Sequence, residues 1–246
     1  MTSFQGWTSD AVALVQQAIA VHGGLAQWRE VARINLPFRS GSGVLLRLKG
    51  FGRTFPAPRE YEVRPHERVT IFHDYPDAHH RGRYERGNVT IEHLGGHAPL
   101  VTGIDHRQTF TGLAKYRLWS PLDALYFFGH ALSHYHVLPF TLPAARLVDV
   151  LRDRGVPVGI DVIFAPDLDT HSRRQRVYFG ADGRIVRHDY VADVIGPFAR
   201  GAHYWEDYER CGGLLIARRR RVVARIGKMP TPLTALHVQL GEPRVQ

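Results

Sequence analysis

The first periodicity along the chain is helical. Val12, Val15 and Ile19 recur at helical spacing, and Leu14 and Ala18 widen the apolar stripe. Ser9 or Asp10 can cap the start, and Gly23-Gly24 supplies a left-handed stop, which predicts a helix over Ala11–His22. Leu25–Val31 predicts a short second turn with Trp28 buried. From Ala32 the period changes to two. Alternation predicts strands at Ala32–Phe38, Gly43–Lys49, Glu60–Val63, Arg68–Asp74 and Val89–His93, with Arg86-Gly87-Asn88 as the tip before the last. His79-His80, among Asp77, Arg81 and Arg83, reads as a solvated loop.

A strong helix signal stands in the middle of the chain. Ser120 caps it, Pro121 takes the first helical position and Asp123 the third. The run Leu122–Leu138 is apolar almost all round and stops at Pro139, so this helix is expected to be buried on most sides, against a large sheet. Beyond Pro143 the alternation returns at Arg146–Leu151, Pro157–Phe164, Arg173–Phe179, Arg184–Val191, Ala202–Glu209, Leu214–Ile226 and Leu233–Leu240. Asp182-Gly183 and Gly212-Gly213 are two-residue hairpin signals, and no helices alternate with the strands. Short connections without crossover helices mean antiparallel pairing. The expected fold class is α+β, with residues 1–246 as one domain. A large, strongly curved antiparallel sheet (a half-barrel) carries an N-terminal helix and holds the central apolar helix on its concave face.

The two hairpin signals also predict faces. A two-residue loop at Asp182-Gly183 sets Phe179 opposite Val186, Val177 opposite His188 and Gln175 opposite Tyr190. The other face then pairs Arg176 with Asp189 and Tyr178 with Arg187. The first face is apolar with three isolated polar groups, as a ligand pocket would be, and is assigned to the concave side. A two-residue loop at Gly212-Gly213 puts Asp207 opposite Arg218, Trp205 opposite Arg220 and His203 opposite Val222. Glu206 and Arg219, with Tyr204 and Arg221, take the reverse face.

Composition narrows the function classes. Of 246 residues 44% are apolar and 22% charged, ordinary values for a globular chain. The net charge of +9 is spread evenly, with 15 basic and 11 acidic residues up to position 123 and 17 and 12 beyond it. That gives no polarised footprint for nucleic acid. The run Arg218–Arg221 divides two and two between strand faces, and each arginine has an acid or an aromatic opposite it. Cys211 is the only cysteine, which excludes a disulfide framework and a cysteine-based metal centre. The opening MTSFQGWTSD lacks a basic n-region, and no stretch approaches the ~18 apolar residues of a membrane span. These features predict a cytoplasmic chain.

The helix closed by His22-Gly23-Gly24, the following Trp28, the consecutive antiparallel strands and the central apolar helix together resemble the bacterial LolA/LolB-like lipoprotein-carrier half-barrel. Thr170-His171-Ser172, Gln175, Arg187-His188-Asp189-Tyr190 and His203-Tyr204 are similar to stretches of an uncharacterised cytoplasmic bacterial family of that layout. The resemblance implies a curved sheet with an apolar cavity; it implies no reaction.

Candidate chemistry is sparse. There is no Gly-x-Ser-x-Gly elbow, no dinucleotide fingerprint and no Walker loop, so no organic cofactor is expected. Asp167–Tyr178 opens like a calcium loop but has Ser172 where glycine is needed and Tyr178 where glutamate is needed. His130 and His134 share a helix face at metal-ligand spacing, and a zinc site would need a third ligand such as His203 or Asp207. Otherwise the two histidines border the packed face and bond to backbone.

What remains is acid–base chemistry. His188 or His203 would be the base, Tyr190 the proton donor, Asp207 the orienter and Arg220 the holder of an oxyanion or carboxylate. Gln175, Trp205, Arg218, Phe127, Phe128 and Ala131 would complete the ligand's surroundings. Two functions follow from this set. One is a cofactor-free enzyme of cyclase or isomerase type acting on an apolar small molecule, with or without an acidic group. The other is a non-catalytic carrier or sensor of a lipid or hydrophobic metabolite.

Overall fold

The structure is a computed structural model that describes residues 3–96 and 98–246. It is an α+β protein built on one curved, unclosed antiparallel sheet. Six strands form the first half as a meander: β1 (Ile34–Ser42), β2 (Glu60–Arg64), β3 (Val69–His73), β4 (His80–Glu85), β5 (Asn88–His93) and β6 (Pro99–Gly103). Seven form the second: β7 (Arg146–Asp153), β8 (Val156–Ile163), β9 (Arg174–Phe179), β10 (Ile185–Val191), β11 (Arg200–Cys211), β12 (Leu214–Ile226) and β13 (Met229–Leu240). β1 pairs with β13 and joins the two meanders, leaving β6 and β7 as the edges; β14 (Arg244–Val245) pairs with β1 off this path.

Among the described residues four α-helices accompany the sheet: α1 (Ser9–Val21), α2 (Gly24–Glu30), α3 (Val44–Lys49) and α4 (Pro121–Tyr135). The capping box of α4 forms as the sequence predicts, with Ser120 and Asp123 each bonding the other's backbone N–H. One side of α4 rests on the first half of the sheet. Gly82 and Gly129 permit this close approach. A Cβ at Gly129 would stand 2.4 Å from the Tyr84 Cβ, and one at Gly82 would meet Leu125 at 2.9 Å. The other side of α4 faces β9–β12. α1 packs against β8 and α2 against β12. No helix among the described residues is long and apolar enough to cross a membrane.

Three expectations are corrected. Gly43–Lys49 is not a strand: Gly43 and Gly50, at φ 119° and 94°, bracket the helix α3. His80 is not in a loop but opens β4, whose inward positions Gly82 and Tyr84 lack the apolar alternation that marks a strand. The Asp182-Gly183 hairpin keeps its predicted register only at Arg187–Tyr178, His188–Val177 and Asp189–Arg176. A bulge then sets Ile185, not Val186, opposite Phe179, and Val186 turns outward.

Candidate functional site

The inward face of the second half is read directly from its ladder. Ile160, Val177, His188, His203, Val222 and Leu236 stand opposite one another across six strands. Trp205 faces Arg220 one step along, as the Gly212-Gly213 hairpin predicts. Gln175, His188, Tyr190, His203, Trp205 and Arg220 are all buried. Asp207 and Arg218 do not join them. Asp207 takes a positive φ of 54°, which breaks the strand's alternation there. Its carboxylate lies half-exposed beside Gln239 and Arg218, and Arg218 is shared with Glu209. Asp207 therefore orients no histidine of this face.

The reverse face is charged and largely paired. Asp161 takes Arg174 and Arg176, Asp189 takes Arg187, and Glu206 takes Arg219 and Arg221. Of the run Arg218–Arg221, Arg220 alone has no acidic partner among the described residues.

Into the hollow α4 sends His130, His134 and Tyr135, and the 170–172 loop adds His171. His130 Nδ1 donates to the Tyr126 carbonyl at 2.8 Å, which leaves Nε2 as an acceptor for His171 Nδ1 at 3.1 Å. His171 Nε2 lies 2.8 Å from the Tyr135 hydroxyl, which in turn donates to the Tyr190 oxygen at 3.1 Å. A second fork centres on Gln175. Its Nε2 donates to the Ser172 carbonyl at 2.7 Å, so its oxygen accepts from His134 Nε2 at 3.0 Å and from His188 Nε2. His171 and Tyr135 carry no periodic signal in the sequence beyond Tyr135's place beside His134. His130 and His134, the pair that stands at metal-ligand spacing in the sequence, are engaged in these bonds. No group of three His, Cys, Asp or Glu among the described residues is arranged to hold a metal ion.

Burial governs the protonation of this set. It pushes His134 down to about 4 and His136 to about 3, and holds His171, His188 and His203 well below the usual imidazole range. Burial also raises the Tyr135 and Tyr190 hydroxyls and lowers Arg220 to about 10. At neutral pH the histidines are uncharged and Arg220 is a cation. Its guanidinium carbon stands 3.8 Å from the centroid of the Trp205 ring and 5.8 Å from that of Tyr135. Its Nε and Nη1, both nitrogens of His203 and Trp205 Nε1 are buried with no hydrogen-bond partner among the described residues.

Three of the cavities that border this centre bear on what it could hold. A polar cleft of about 460 Å³ is walled by Arg107, Asp169, Ser133 and His134. A void of about 20 Å³ lies between Arg220, His22 and His136. The third, about 220 Å³, lies between α3, β11–β13 and the 192–201 segment, and Leu45, Phe127, Tyr190, Ile195, Val222 and Leu236 are in its lining. Of the charged residues, Arg200 alone lines it among the described residues. Phe128 instead packs in the first half beside Tyr75 and Phe38, and Ala131 is core.

No family model matches the chain, and no curated protein matches it. Among solved structures it is similar to a LolA superfamily protein from Nitrosomonas europaea, with a TM-score of 0.49 and 9% identity over 97% of this chain and 94% of that one. It is also similar to a DUF1329 family protein from Desulfovibrio piger, with a TM-score of 0.44 and 11% identity over 97% of this chain and 94% of that one. The first is of the kind the sequence resembles. At such identities nothing about individual residues carries over, and the site is read from its own geometry.

Proposed function

We propose that this protein is a non-catalytic carrier or sensor that holds a hydrophobic small molecule in the pocket beside α3. The observation that carries the reading is the pocket's lining, almost wholly aliphatic and aromatic around a volume of about 220 Å³. Its rim supports the same reading: Leu48, Phe198 and Leu233 line it and are 64%, 64% and 52% exposed. Residues that stay apolar while facing water suit a mouth through which an apolar guest enters.

Carriage is favoured over acid–base catalysis by where the candidate groups stand. His188 and His203 are enclosed, Asp207 lies outside the hollow, and Tyr190 alone of the four reaches the pocket wall. A base within reach of a substrate proton is the first requirement of general catalysis. The test is calorimetric titration with decanol at several temperatures. The wild type should bind with a negative heat-capacity change, and Ala224→Trp, which fills the pocket, should not bind. Failure of the wild type to take up decanol would overturn the reading.

A further inference from the structure

We propose that the guest of this pocket is an acidic amphiphile whose carboxylate is held by Arg220, with Trp205 and His203 as additional donors. The inference rests on the pocket reading above and names the chemical class of its ligand.

Arg220 carries an uncompensated charge. Arg220 is 4% exposed and 3.8 Å above Trp205, yet its charge faces no carboxylate among the described residues. Aromatic faces and lone pairs can solvate a cation, and the neighbours supply both. His22 and His136 donate through Nδ1 to the Ala18 and Leu132 carbonyls, which leaves their Nε2 atoms as acceptors at the void that Arg220 also lines. None of these groups carries negative charge. A cation held in a dry interior without a counter-charge is expensive, and proteins keep such groups mostly where a ligand supplies the missing partner.

The donors that lack partners are grouped. Trp205 stands directly opposite Arg220 across β11 and β12, and the ring centroids of His203 and Trp205 are 5.9 Å apart. Trp205 Nε1–H and the protonated nitrogen of neutral His203 join Arg220 Nε and Nη1 as unpartnered donors. A carboxylate is the group that accepts several such bonds and pairs with a guanidinium.

Position links this centre to the pocket. Val222 lines the pocket, and Arg220 is the preceding inward position on the same strand, about 7 Å away. A volume of about 220 Å³ accommodates about seven groups of methylene size, each near the ~30 Å³ share of a water molecule. Arg220, Trp205 and His203 do not themselves line the pocket; a chain of about ten carbons would fill it and carry its head past the wall that Tyr190 and Val222 form, toward Arg220. On entry that head would meet Tyr190, whose hydroxyl is tied to Tyr135.

The experiment compares decanoate with decanol on wild type, Arg220→Met, Arg220→Lys and Ala224→Trp, by calorimetry at neutral pH. Wild type should prefer decanoate to decanol by at least about tenfold. Arg220→Met should lose about 30-fold or more in decanoate affinity and keep its decanol affinity within about twofold. Arg220→Lys should recover part of the loss. Equal affinity of wild type for acid and alcohol, or decanoate binding unchanged in Arg220→Met, would overturn the head-group assignment and leave the pocket reading standing. If decanol does not bind wild type, or both compounds bind Ala224→Trp undiminished, the pocket reading falls and this inference falls with it.

Discussion

Along β2–β5 the inward rows are closed by complementary shape. Val63, Thr70, Tyr84 and Val89 stand opposite one another, Tyr61, Phe72, Gly82 and Ile91 form the adjacent row, and α4 lies across them. Two of the polar groups there are answered: the Thr70 hydroxyl meets the Gly129 carbonyl and Ser133, and Tyr84 meets Asp169. Along β9–β12 the equivalent positions carry Gln175, His188, Tyr190, His203, Trp205 and Arg220, several with nitrogens that nothing among the described residues satisfies. Both halves are antiparallel meanders bordering the same helix, so architecture does not account for the difference. One half uses its inward face for stability, and the other retains polar groups that burial alone would eliminate. On the proposed function, that asymmetry assigns the guest to the second half.

The largest effect should come from the packed half. Phe72→Ala removes a wholly buried ring between Tyr61 and Tyr75 and should cost about 3–5 kcal/mol, read from urea denaturation. A loss below about 1 kcal/mol would mean that the first half is not the tight core described.

Arg220→Met should have the opposite sign. Replacing an uncompensated buried cation with an apolar side chain should stabilise the ligand-free protein by about 2 kcal/mol. Destabilisation of similar size would show that Arg220 has a structural counter-charge and would erase the contrast between the halves.

The buried imidazoles give the next effect. His22, His134 and His136 are lowered by burial to about 4, about 4 and about 3, whereas an unfolded histidine titrates near 6.5. Between those values the unfolded chain binds more protons than the folded one, so stability is present above about pH 6.5 and is lost as pH falls toward 4. Each such group contributes about 1.4 kcal/mol per pH unit within its window. His136→Phe should therefore flatten the acid limb of a stability–pH curve by about that slope, and an unchanged limb would contradict the burial assigned to His136.

The smallest effect belongs to the outer face. Arg219→Ala breaks a surface pair with Glu206 and should change stability by less than about 1 kcal/mol. A larger loss would place structural weight on the convex side, where the comparison assigns none.

Much of this arrangement is legible in the amino-acid sequence. The cap of α4, the Arg86-Gly87 tip and the Trp205–Arg220 pairing depend on local rules, on side chains that satisfy helix ends and on turns that set register. The remainder depends on tertiary context. His80–Glu85 is a strand because Gly82 admits Leu125, which no alternation announces. Val44–Lys49 alternates like a strand but is turned into a helix between two left-handed glycines. Asp207 leaves its face through a single positive φ, and His171 reaches the relay from a loop with no periodicity at all. The candidate site is thus legible strand by strand, while its connection through Tyr135 and His171 is not.

The central claim is that the second half encloses an apolar guest. Native mass spectrometry of wild type and Ala224→Trp, each equilibrated with decanol, tests it most directly. The account predicts a one-to-one adduct on the wild type and none on the filled variant. No adduct on the wild type, or the same adduct on both proteins, would contradict it.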